Sequence, residues 1–275
     1  MENIRQAIER AKGQPKQQSG ASLERSQRPA RVLGNGPESI EASQEVALDF
    51  AHLQSRRIVA YDGKDIRSRP FDILRTEVLR SIDLKGWKTL AVTSPTPGCG
   101  KTVTAVNLAL SLARQPEREV LLADLDLRKP HVAACLGLQC QDGLLGVVEE
   151  RLEVGSAIVR ARAGGSRLEI LPTAATSNSS DLVASTAMRM LLQNLTGHGQ
   201  SRIAILDLPP LLMGHDAISI LPHVDCVLLV AAVGTSTVGE IEECNKYLQA
   251  TEVVRFVLNK VPSSAPGAGH NYSYY

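Results

Sequence analysis

From Lys88 onward, short uninterrupted hydrophobic runs alternate with stretches of helical period. The runs are KTLAVTS (88–94), EVLLADLD (119–126), RLEILPT (167–173), RIAILDL (202–208), DCVLLVAAV (225–233) and VVRFVLNK (253–260). Helices are predicted between them, near 101–114, 181–195, 215–221 and 238–250. Runs that are apolar at nearly every position suit strands buried on both faces. Strands joined by helices build a parallel sheet covered on both sides. Ligands of such sheets sit beyond the carboxyl ends of the strands. One more helix is predicted over 70–84, with Phe71, Leu74, Val78 and Ile82 on one face.

Outside this region the pattern weakens. Residues 1–12 carry Ile4, Ala7, Ile8 and Ala11 along one helical face, which predicts a short N-terminal helix. Residues 13–44 begin with a stretch rich in Gln, Gly, Ser, Pro and Arg and read as a flexible linker. The main domain is expected over 45–261. Residues 262–275, PSSAPGAGHNYSYY, read as a flexible tail carrying three of the five tyrosines, Tyr272, Tyr274 and Tyr275.

Composition narrows the function classes. The formal net charge of +1 gives no broad electrostatic case for nucleic acid. No apolar run approaches the roughly 18 residues of a transmembrane helix, and the N-terminus lacks the apolar core of a signal peptide. A cytoplasmic protein is expected, peripheral at the inner face of the membrane only through a partner. Five cysteines without close pairs argue against a disulfide framework or a zinc site.

The run ending at Ser94 leads into PTPGCGKT and then a helix. Glycines there let backbone N–H groups approach phosphate oxygens, helped by the positive end of the helix. Lys101 is expected to reach the β- and γ-phosphates and Thr102 to offer its hydroxyl to Mg²⁺. Pro97, Gly98, Cys99, Gly100, Lys101, Thr102 and Val103 form the expected nucleotide-binding stretch. The strict pattern has Gly at position 95, where this chain has Pro95. Cys99 reads as a small residue that fits, or else as a thiol acidified by the helix N-terminus. Asp124 and Asp126 alternate with leucines, so both are expected on one side of their strand, together with Arg128. Buried like charges need a cation, which Mg²⁺ and its nucleotide would supply. Asp207 closes a third run as a Walker B carboxylate. Asp216 reads as the cap of the helix that follows it. Together these motifs predict an α/β, P-loop NTPase-like fold with a mostly parallel sheet.

PTPGCGKT, LLADLDLRKP and ILDLPP, in this order, resemble the bacterial tyrosine autokinases of capsule and exopolysaccharide synthesis. The likeness covers roughly 45–275, and the closing HNYSYY resembles the family's phosphorylated tyrosine cluster. The resemblance implies ATP and Mg²⁺ as cofactors, with Lys101, Asp124, Asp126 and Asp207 catalytic. It implies Thr102, Asp126 and Asp207 on the metal and Arg128 on the nucleotide. Asp124 or Asp126 would take the phenol proton, with Asp124 preferred. Tyr272, Tyr274 and Tyr275 would be phosphoacceptors, presented in trans within a homo-oligomer such as a ring. A transmembrane polysaccharide chain-length protein would activate the kinase, and a tyrosine phosphatase would reset it. Where the family usually carries Glu-x-x-Arg-x-x-Arg for ring contacts, this chain has Arg69, Asp72 and Arg75. Two other readings remain: an ATP-binding assembly partner without catalysis, and a partitioning-type ATPase switch.

Overall fold

The computed structural model describes residues 45–196, 201–249 and 251–262. The predicted N-terminal helix, the linker up to residue 44 and the three tail tyrosines lie outside them.

In chain order the elements are β1 (Val46–Ala47), α1 (Phe50–Ser55), α2 (Arg69–Lys85), β2 (Thr89–Thr93), α3 (Lys101–Ala113) and β3 (Glu119–Asp124). Then come α4 (Val132–Leu136), α5 (Leu144–Val148), α6 (Val154–Ala157), β4 (Val159–Ala163) and β5 (Ser166–Leu171). The rest are α7 (Ser179–Val183), α8 (Thr186–Asn194), β6 (Arg202–Asp207), α9 (Asp216–Ile220), β7 (Cys226–Ala232), α10 (Val238–Leu248) and β8 (Glu252–Asn259). The strands form one sheet in the order β1-β4-β5-β3-β6-β2-β7-β8. Every pairing is parallel except β4–β5. This is the expected P-loop NTPase-like α/β fold.

The continuous apolar runs explain the centre of the sheet. β2 and β7 are buried along their whole length. Alternate residues feed two separate cores. Leu90, Val92, Leu122 and Ile205 join Leu108 and Leu112 of α3 on one face. Ala91, Leu121, Ala123 and Leu206 join Leu191 of α8 and Cys244 of α10 on the other. Burial on both faces holds the central strands rigid, so their carboxyl ends are fixed platforms.

Two expectations change. The helix predicted over 181–195 is two, α7 and α8, because the Ser185 hydroxyl accepts from Met188 N at 3.1 Å and starts a new helix. β4 was not predicted. Its sequence VRARA buries only every second residue, Ala161 and Ala163, as suits a strand near the sheet edge. Among the described residues no helix is long and apolar enough to cross a membrane.

The segment 57–60 is locked to α3 by one buried side chain. Asn107 of α3 accepts from Val59 N at 2.8 Å and Ala60 N at 3.0 Å. Its amide donates to Arg57 O at 3.0 Å and Val103 O at 2.8 Å. All four of its hydrogen-bonding positions are used. Replacing Asn107 by Ala strands two amide donors and one carbonyl of the 57–60 segment. The expected cost is about 3 kcal/mol, measured as a drop in the urea midpoint with unchanged slope.

Candidate active site

The loop between β2 and α3 is held from below by the segment after β6. Thr93 Oγ1 donates to Pro209 O at 2.8 Å, Leu211 N to Ser94 O at 2.8 Å, and Leu212 N to Pro95 O at 3.1 Å. At position 95 the loop uses a carbonyl, which proline retains, so the departure from glycine is accommodated. Gly98 and Gly100 have φ of +83° and +92°, values that a side chain disfavours. A Cβ on Gly100 would also lie 2.3 Å from Asn259 Nδ2. That amide donates to Cys99 O at 2.9 Å, so the last residue of β8 braces the loop. The Cys99 thiol is fully buried, donates to Thr96 O at 3.2 Å and lies 3.3 Å from Ser236 Oγ. Its position matches the reading of a small residue that fits.

Lys101 and Thr102 open α3 beside the strand-end carboxylates. Thr102 Oγ1 donates to Asp207 Oδ2 at 2.6 Å. Lys101 Nζ lies 3.0 Å from Asp126 Oδ2 and 3.4 Å from Asp207 Oδ2. Asp124 is directly opposite Asp207 in the β3–β6 register and is fully buried. Its Oδ2 accepts from His131 N and Val132 N, both at 2.9 Å, and its Oδ1 from Asp126 N at 3.2 Å. The two acids predicted to share one strand face therefore divide. β3 ends at Asp124, which ties down the turn leading into α4. Asp126, in the turn beyond the strand, lines the open cavity, and Asp124 does not.

The electrostatics follow from this crowding. Burial and the neighbouring Asp207 push the Asp124 carboxyl up to about 7, against hydrogen bonds from Val132 and Asp126. Burial raises Asp207 too, although Lys101 and Thr102 pull it down. Burial opposes the charge on Lys101, yet Asp207 and Asp126 hold it above its ordinary value. Three carboxyl groups thus share one ammonium, so the site holds more acidic groups than cations to balance them. A cation with few protein ligands suits it. Among the described residues no group of three or more His, Cys, Asp or Glu side chains could cage a metal. Mg²⁺ typically takes one or two carboxylates and fills its shell with water and phosphate oxygens. Asp207, Asp126 and the Thr102 hydroxyl fit that demand.

These groups open into a cavity of 520 Å³ whose loop-side wall includes Pro97, Gly98, Gly100 and Val103. Arg128, Asp216, Pro210 and Met213 are on the other side. Asp216 does not cap a helix. It is the first residue of α9, and its side chain accepts from Ser179 Oγ at 2.6 Å, Ser180 Oγ at 2.7 Å and Arg128 Nε at 3.0 Å. Sequence reasoning missed Ser179, Ser180 and Asn259 as members of the site. A Ser-Ser pair opening a helix was visible, but not what it would face.

A strand, a positive-φ glycine loop, a helix opening with Lys-Thr and an acid ending a neighbouring strand define a P-loop nucleotide-binding protein. The chain belongs to the CobQ/CobB/MinD/ParA nucleotide binding domain family, whose profile matches residues 90–272. It is similar to a putative tyrosine-protein kinase, EpsB, of Ralstonia nicotianae, at 31% identity over 204 residues. That match covers 73% of this chain and 26% of the relative, so the chain spans about a quarter of that protein's length. It is also similar to the tyrosine-protein kinase YwqD of Bacillus subtilis, at 29% identity, covering 82% of this chain and 93% of that one. The kinase domain of the Escherichia coli tyrosine kinase ETK superposes with a TM-score of 0.69 at 27% identity. That likeness covers 79% of this chain and 84% of the ETK chain.

Gly100→Ala combines backbone strain with a clash against Asn259. Binding of Mg²⁺–ADP, followed by calorimetry, should weaken about tenfold or more. Adding Asn259→Ala removes the clash but not the strain, so melting temperature should recover only in part. Asp124 supplies a pH signature. Its ordinary value is 3.8 and its folded value about 7, so between these the folded protein holds a proton that the unfolded chain has lost. Raising the pH through that window therefore lowers the stability of the ligand-free protein. A divalent cation beside Asp207 lowers the Asp124 value again. Binding of Mg²⁺–nucleotide near pH 6.5 should release protons, read from calorimetry in buffers of different ionisation enthalpy. The release should vanish near pH 9.

Proposed function

We propose that this protein is an ATP-dependent protein-tyrosine autokinase that phosphorylates Tyr272, Tyr274 and Tyr275, in trans between copies of the chain. The observation that carries this reading is the cluster of Lys101, Asp126 and Asp207, with more carboxyl groups than cations, beside the glycine loop. In a chain similar to YwqD across 93% of that kinase, it is the complement of a Mg²⁺–triphosphate. Bound Mg²⁺–ATP would supply the electrophilic γ-phosphorus and a leaving group whose charge the metal neutralises.

The chain's own groups then have distinct tasks. Lys101 exchanges its carboxylates for phosphate oxygens. Thr102 and Asp207, already 2.6 Å apart, would hold the metal. A phenol with its ordinary value of about 10 is a weak nucleophile at neutral pH and needs a base close by. Asp126 is the better candidate, because it faces the cavity, and in that role it leaves the metal to Thr102 and Asp207. Asp124, the residue the resemblance favours, has its oxygens engaged by three backbone amides. The phenol oxygen bonds to the γ-phosphorus, the bond to the bridging oxygen breaks, ADP departs, and Asp126 receives the proton. Control of exopolysaccharide polymerisation and export, a transmembrane chain-length protein as activator, and a phosphatase for reset belong to the same proposal. The membrane location would come from that activator.

The test is mass spectrometry of the C-terminal peptide from protein produced with its membrane activator, beside Lys101→Met. Phosphate on Tyr272, Tyr274 or Tyr275 of the wild type alone is the expected result. Mixing Lys101→Met with a wild-type site lacking the tail tyrosines should place phosphate on the inactive copy's tail. Unmodified tails with intact ATP binding would replace the kinase by a non-catalytic assembly partner.

A further inference from the structure

The Arg128–Asp216 contact is built more heavily than a surface ion pair requires. The Asp216 side chain is 5% exposed and that of Arg128 51%. Arg128 Nε donates to Asp216 Oδ2 at 3.0 Å and to Ser179 Oγ at 2.8 Å. Nη2 donates to Ser180 Oγ at 2.7 Å and reaches Asp216 Oδ1 at 3.4 Å. Both serines in turn donate to the same carboxylate. Burial alone would raise Asp216, but hydrogen bonds from Ser179, Ser180 and Arg128 hold it below its ordinary value. Asp216 is therefore ionised at neutral pH.

Three chain segments, after β3, at the start of α7 and at the start of α9, meet at this point. What they fix is one edge of a guanidinium on the cavity wall. Among the described residues nothing bonds to Nη1. The outer edge of the planar group is left to grip two oxygens of one phosphate. Strand order says which phosphate. β2, β6 and β3 are neighbours. Their carboxyl ends carry, in a row, the glycine loop, Asp207, and the Asp126–Arg128 turn. The loop, Lys101 and Thr102 suffice to hold a diphosphate. Arg128 lies at the end of the row beyond Asp207, where the terminal group of a triphosphate would reach.

We propose that Asp216, with Ser179 and Ser180, is a positioning residue that holds Arg128 against the terminal phosphate, so that the site separates nucleoside triphosphate from diphosphate. This rests on the nucleotide-binding part of the proposed function and not on phosphotransfer.

The test uses the full chain with Mg²⁺ and compares affinities for ADP and a non-hydrolysable ATP analogue. The wild type should prefer the triphosphate. Arg128→Ala and Asp216→Asn should each reduce that triphosphate-to-diphosphate preference about tenfold, the scale of a lost charge-assisted contact. The double variant should be no worse than Arg128→Ala, because the two act as one unit. Arg128→Lys, which keeps charge without the planar fork, should fall between. Should Asp216→Asn not fold, Ser180→Ala decides, with a smaller loss in the same direction. An unchanged triphosphate-to-diphosphate ratio in Arg128→Ala overturns the proposal. So does a drop in melting temperature in Asp216→Asn or Ser180→Ala with the ratio intact, which would make the cluster a structural staple. A wild type that never phosphorylates its tail leaves this comparison measurable and refutes only the kinase.

Discussion

Three carboxylates and one ammonium meet where two adjacent parallel strands end, and the rest of the site depends on that crowding. The sheet imposes it. β3 and β6 are paired in register, so Asp124 and Asp207 stand side by side whatever their charges prefer. Asp124 answers with a raised pKa and three backbone donors, Asp207 with the Thr102 hydroxyl and a share of Lys101. Neither answer is complete, and a low-dielectric site with unmatched charge recruits a counter-charge from its ligand. The rigid two-sided core keeps the strands from relaxing the problem away.

The architecture around this cluster shows how each acid came to have a different task. Two positions along the chain decide between Asp124 and Asp126. The first is still inside the strand, where only backbone amides reach it. The second is past the strand end, where it can face both Lys101 and open space. Such division of labour between chemically identical groups is set by burial, hydrogen bonding and neighbouring charge.

The central strands were legible in the sequence because burial on both faces demands apolar residues at nearly every position, as in CVLLVAA of β7. The glycine loop was legible because its chemistry restricts residue types within a few positions. β1 and β4 were not, since a two-residue strand and the alternating VRARA carry little hydrophobic signal. The break at Ser185 was hidden because a capping serine looks like any other serine in a helical pattern. Asp216 was misjudged because its partners Arg128 and Ser179 lie 88 and 37 residues away. Proximity in sequence favoured a local cap, while the fold supplied distant donors. Asn259 closed the last apolar run, and nothing in it announced that a loop 160 residues earlier would lean on its amide.

That amide has a consequence of its own. Asn259 ends β8, and the chain that follows it leads to the closing tyrosines. The residue that braces the glycine loop is thus the last strand residue before the C-terminal segment. Two ends of the chain's path, the turn after β2 and the close of β8, share one hydrogen bond. Any ligand of the loop that altered that bond would be linked, by the same factor in both directions, to anything that displaced Asn259. The last strand is in this sense part of the loop's frame, as well as the edge of the sheet.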